Sequence, residues 1–77
     1  MGLNLKLMRE RREMSQADLA KISHVSKRTI QDYEQGKARI DGAQIETLAK
    51  LANALTCGIT DILDDPELIE RLKVTRL

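Results

Sequence analysis

Three helix boundary signals stand close together in the chain: Ser15, Ser26 and Gly36. Ser15, with Asp18 three positions on, reads as a reciprocal capping box that opens a helix. Ser26 is a good N-cap for a helix from Lys27 to Gln35, and Gly36 is the expected left-handed stop. Two short helices joined by a turn of a few residues cannot pack antiparallel, so they must cross at a large angle. Such a crossing needs a small residue where the backbones approach, and Ala20 stands there. Leu19, Val25, Ile30 and Tyr33 supply the apolar surroundings.

The rest of the chain also reads as short helices. Leu5, Met8 and the later Met14 mark one side of a first helix over roughly residues 3–12, with Lys6, Arg9, Glu10, Arg11 and Arg12 on its other positions. Lys37 to Ile40 forms a basic connector. Asp41, with Gln44 three positions on, reads as a cap for the longest helix, roughly 42–55. There Ile45, Leu48, Ala49, Leu51, Ala52 and Leu55 recur at three- and four-residue spacing. Thr56-Cys57-Gly58 ends it, and Thr60 caps one further turn holding Ile62 and Leu63. Asp65-Pro66 is a cap-then-first-turn pair for a last helix, with Leu68, Ile69 and Leu72 on one face. No period-2 alternation is long enough for a strand. The expected class is all-α, a compact bundle of five to six short helices.

Composition removes whole classes of function. Tyr33 is the single aromatic residue, which excludes the stacking platforms of single-strand binders. One Cys (Cys57) and one His (His24) cannot build a structural zinc site or a disulfide framework, so no metal is expected. The lone thiol suits a reducing cytoplasm, the expected compartment. No apolar run approaches the roughly 20 residues of a membrane span. The four glycines are scattered, so no phosphate-cradling loop exists, and the lone His has no nucleophile beside it. Neither an enzyme nor a cofactor is expected. Cys57 reads as a small buried hydrophobe with no basic sequence neighbour to activate it.

The helix beginning at Lys27 is different. Lys27, Arg28, Gln31 and Asp32 share its outward face, and long hydrogen-bonding side chains at the start of a protruding helix are what major-groove readout requires. Arg and Lys address guanine O6 and N7, Gln addresses adenine, and a carboxylate accepts from the cytosine amino group.

The run Met14-Ser-Gln-Ala-Asp-Leu-Ala and the run Val25-Ser-Lys-Arg-Thr-Ile-Gln-Asp-Tyr-Glu-Gln-Gly36 resemble the Cro/repressor-type (XRE) helix-turn-helix family. The resemblance continues through Glu46-Thr-Leu-Ala-Lys-Leu-Ala-Asn-Ala-Leu55 and Ile59-Thr-Asp-Ile-Leu63. It implies a lambda-repressor-like DNA-binding domain over residues 1–65, followed by a helical tail at 66–77. It implies base contacts from Lys27, Arg28, Thr29, Gln31 and Asp32. Phosphate contacts are implied for Gln16, Gln35, Lys37 and Arg39. Arg9 and Glu34 match the family's buried Arg–carboxylate pair, which ties the first helix to the third. The implied partner is double-stranded DNA. A homodimer is also expected, because one such module binds DNA weakly and two about 34 Å apart address successive major-groove faces of a palindrome.

Some positions depart from the family pattern. His24 and Glu13 occupy turn positions where Gly is usual, which costs stability relative to Gly. Asp32 either reads one base or leans back onto Arg28, four residues earlier. The tail either folds onto its own domain or makes a dimer or protein-partner contact through Leu68, Ile69 and Leu72. The leading expectation is therefore a sequence-specific regulator, a repressor. The alternative is a protein-interaction module of the same fold, such as an antitoxin, with or without autoregulatory DNA binding. Net charge is +1, but this averages two unlike halves. Residues 1–40 carry nine Lys/Arg against five Asp/Glu, and residues 41–77 carry four against seven. The basic half holds the whole two-helix motif.

Overall fold

The computed structural model describes residues 2–73, and they form five α-helices with two 3-10 turns. The helices are α1 (Leu3–Arg11), α2 (Gln16–Ser23), α3 (Lys27–Gln35), α4 (Ile45–Leu55) and α5 (Pro66–Lys73). The 3-10 turns are Ile40–Gly42 and Ile59–Asp61. No strand occurs among the described residues, as the absence of alternating pattern predicts.

Local capping places α2 and α3. Asp18 N donates to Ser15 Oγ at 3.0 Å and Ser15 N donates back to Asp18 Oδ2 at 3.0 Å, so the capping box is complete. Thr29 N donates to Ser26 Oγ at 3.1 Å, and Gly36 stops α3 at φ 78°. His24 ends α2 in the left-handed region at φ 64°, and Glu13 and Thr56 take the same region at φ 56° and φ 54°. Pro66 is the first residue of α5, and Asp65 Oδ1 accepts from Glu67 N at 3.0 Å.

Two expected caps are corrected. Asp41 does not open the long helix; Gln44 precedes it, without a side-chain cap bond, and α4 starts at Ile45. The Asp41 carboxylate is taken elsewhere: its Oδ1 accepts from Asp64 N at 2.9 Å and Asp65 N at 3.1 Å. It thus pins the segment leading into α5 against the turn after α3. Thr60 lies inside the second 3-10 turn and not at its start. Asp61 instead accepts from Gly58 N at 2.9 Å and closes that turn.

The core assembles from α1, α2, α3, the first 3-10 turn and α4, with Ile62 and Leu63 just after the second turn. Leu5, Leu19, Ile30, Ile40, Leu51, Leu55 and Ile62 are wholly buried, with Leu63 almost so. α2 packs on both α3 and α4, while α1 lies against α3 and the second 3-10 turn. Burying a Leu or Ile side chain contributes roughly 1.5–3 kcal/mol. This small core therefore leaves little to spare against chain entropy. α5 packs against the second 3-10 turn, with Leu68 and Ile69 half-buried on the core and Leu72 exposed. The last four residues of the expected tail lie outside the described residues.

Candidate nucleic-acid interface

α3 presents two unlike sides. Ile30 and Tyr33 are buried in the core, which leaves Lys27, Arg28 and Gln35 exposed, with Gln31 and Asp32 half-exposed. The helix therefore stands on its apolar side and offers its polar side outward, beginning with two cations in its first turn. The N-terminal turn is held by Ser26, whose hydroxyl also donates to Thr29 Oγ1 at 2.8 Å. Thr29 is thus partly occupied by the cap, although its own hydroxyl proton remains able to donate.

Arg28 and Asp32 form an ion pair one turn apart, Nε to Oδ1, at 3.5 Å. Of the two placements open to Asp32, the free molecule adopts the one leaning onto Arg28. Beyond α3, Lys37 and Arg39 are exposed on the connector. Arg39 makes a long ion pair to Asp41 at 4.0 Å, with its side chain 80% exposed. The backbone here is fixed by Lys37 N and Ala38 N, which both donate to the carbonyl of Asp32.

Behind this surface lies a polar knot joining three helices. Arg9 Nε donates to Glu34 Oε2 at 2.8 Å, and Arg9 Nη2 donates to Glu34 Oε1 at 3.0 Å. Arg9 Nη1 donates to the Met14 carbonyl at 2.7 Å. Gln16 Nε2 donates to Glu34 Oε1 at 3.0 Å, so the first residue of α2 joins the knot through its amide. The paired side chains of Arg9 and Glu34 are only 11% and 4% exposed. The hydrogen bond to Glu34 raises the Arg9 pKa above its ordinary value even though burial opposes the charge. One Gln16 amide proton and its carbonyl oxygen are left over for another partner.

The chain matches the helix-turn-helix family model over residues 5–62, which takes in α1 through the second 3-10 turn. The chain belongs to the XRE-type helix-turn-helix family. This helix-turn-helix chain is 41% identical over 63 residues to an HTH-type transcriptional regulatory protein of Methanothermobacter thermautotrophicus, covering 82% of this chain and 19% of that protein. A protein of the same description from Methanoregula boonei is 35% identical over 63 residues, with the same coverage of each chain. The chain thus spans about a fifth of the length of these curated relatives. No solved structure matches it. In helix-turn-helix terms, α2 and α3 are the two helices of the motif.

Several supporting residues escaped the sequence reading. Arg12 donates from Nε to the Leu55 carbonyl at 2.9 Å and from Nη2 to the Thr56 carbonyl at 3.2 Å. A cation thereby satisfies the open end of α4, where the helix dipole favours positive charge. Asn4 Nδ2 donates to the Leu63 carbonyl at 2.8 Å. Gly2 N donates to Asp64 Oδ2, and Gly2 itself presses on the backbone of Tyr33 and Glu34. None of these carries a local sequence signal, because each partner is distant along the chain.

Proposed function

We propose that this chain binds double-stranded DNA in a sequence-specific way and acts as a transcriptional repressor. The observation that carries the proposal is the two-sided α3. Ile30 and Tyr33 anchor it in the core while Lys27 and Arg28 open its exposed edge. A helix held in this manner enters the major groove, about 12 Å wide, with its first turn leading. Lys27 and Arg28 address base edges, and Thr29, Gln31 and Asp32 are their neighbours on bases or sugar-phosphate. Gln16, Gln35, Lys37 and Arg39 follow the phosphates on either side. Residues 1–65 form the DNA-binding unit and 66–77 the tail. Homodimerisation in the cytoplasm would let two such units address successive turns of a palindrome.

Selection from random duplexes followed by a gel-shift titration tests the proposal. The expected result is an enriched sequence bound at least about a thousandfold more tightly than random duplex at moderate salt. Equal, weak affinity for every duplex would overturn it, and would favour a module of the same fold that acts through a protein partner.

A further inference from the structure

We infer that Asp32 is a positioning residue that holds the Arg28 guanidinium to read guanine, and does not itself read a base. The inference rests on the DNA-binding reading above and names the base class that its leading side chain selects.

The two residues are spaced one helical turn apart on the exposed side of α3, where side chains four apart are neighbours. Arg28 Nε lies 3.5 Å from Asp32 Oδ1. The Arg28 side chain is 81% exposed, whereas Asp32 is recessed at 29%. Position along α3 matters as well. Asp32 sits a full turn further from the helix start than Arg28, and its carbonyl accepts the amides of Gly36, Lys37 and Ala38. Its backbone is therefore a fixed post, while Arg28 is a long arm that four rotatable bonds leave loose.

The ion pair is made through Nε, and with the Arg28 side chain 81% exposed the terminal Nη1 and Nη2 fork keeps its donors for another partner. No other protein partner of that fork occurs among the described residues. Two parallel donors match the adjacent O6 and N7 acceptors of guanine. Adenine presents an amino donor in place of O6 and repels one arm of the fork. A carboxylate aimed at the duplex would meet phosphate charge, but one paired with Arg28 is already neutralised. As water leaves the groove on docking, the attraction between the pair strengthens, so the arrangement is firmest when it is needed.

The test is base-preference selection on the full chain with Arg28→Ala, Asp32→Ala, Asp32→Asn and the double alanine variant. Folding is followed alongside by circular dichroism. The wild type is expected to prefer guanine at one position by roughly 5- to 150-fold, the range of a good bidentate pair. Arg28→Ala removes that preference. Asp32→Ala lowers the preference at the same position by about twofold. It also strengthens binding to random duplex, since a negative charge has left the phosphate field. Asp32→Asn, which keeps the side-chain shape, shows the same loss because a neutral amide holds a guanidinium weakly. In the Arg28→Ala background, Asp32→Ala changes nothing further at that position.

A changed preference at a different base pair in Asp32→Ala would show that Asp32 reads its own base and would overturn the inference. An unchanged profile overturns it too. Selection of no sequence by the wild type is a separate result that removes the DNA-reading proposal and this inference with it.

Discussion

Arg9 on α1 and Glu34 on α3 face each other through two parallel hydrogen bonds of 2.8 and 3.0 Å, with both side chains nearly withdrawn from water. The pair closes a gap between the helix that begins the domain and the helix that faces outward. It also accepts the Gln16 amide and supplies the Met14 carbonyl with a donor. Disturbing it should therefore reach the position of α3 as well as stability.

Glu34→Ala is expected to cost about 3–5 kcal/mol, because it strands a buried guanidinium. That loss is a large share of the stability a small domain holds. Arg9→Met combined with Glu34→Leu removes both charges and is expected to recover most of the loss, since burying the pair carries its own desolvation cost. Urea unfolding of both variants checks this. A double variant no more stable than Glu34→Ala would contradict it.

Gly2→Ala is expected to destabilise the fold strongly. Its φ is +64°, and a Cβ there would collide with the backbone of Tyr33 and Glu34, which cannot yield without moving α3. Thr56 takes a left-handed φ of 54° despite its branched side chain, so Thr56→Gly is expected to stabilise by about 1 kcal/mol. Thermal melting of the two variants should move in opposite directions.

Asp18 carries a pH dependence with a definite sign. Its carboxylate accepts the Ser15 backbone N–H at 3.0 Å, and this bond together with the Ser15 hydroxyl contact lowers its pKa. A folded pKa below the unfolded value of about 3.9 means the stabilisation is full above that value. It is lost as pH falls through the lower folded pKa. Asp18→Asn should be less stable than wild type at pH 7, with the gap closing at the acid end. A gap constant down to acid pH would remove this assignment.

Burial raises the Cys57 thiol pKa, Asp61 adds to the effect, and Arg12 partly offsets it. The thiol therefore stays protonated through neutral pH and should alkylate more slowly with iodoacetamide than a free cysteine. Arg12→Ala should move the midpoint of the alkylation rate to higher pH. That variant also exposes the cationic partner's second task, since the Leu55 and Thr56 carbonyls lose their donor.

On DNA, Lys37→Ala should weaken all duplexes alike and reduce the slope of log affinity against log salt by about 1. Arg28→Ala should instead cost about 1–3 kcal/mol at one base pair. Titrations of selected and random duplexes at several salt concentrations separate the two. A sequence-dependent Lys37→Ala effect would place that lysine at a base.

Local chemistry made much of the fold legible in the residues alone. Ser15 with Asp18, Ser26 with Thr29, and Gly36 after Gln35 act within one turn, so short spacing carries the whole signal. Asp65-Pro66 did so for α5. Asp41 misled for the opposite reason. It resembles a cap locally, but its acceptor serves amides 23 and 24 positions away.

The ordered run of family residues pointed to the right architecture and to the Arg9–Glu34 pair. The chain alone thus determined a set of short helices, their cap residues and the polar face of α3. Tertiary structure decided what those residues touch. It placed Gln16 on Glu34, Arg12 at the end of α4 and Gly2 against Tyr33. A cap needs only its neighbours in sequence, whereas a charge or a close backbone approach takes whichever partner packing delivers, at any separation along the chain.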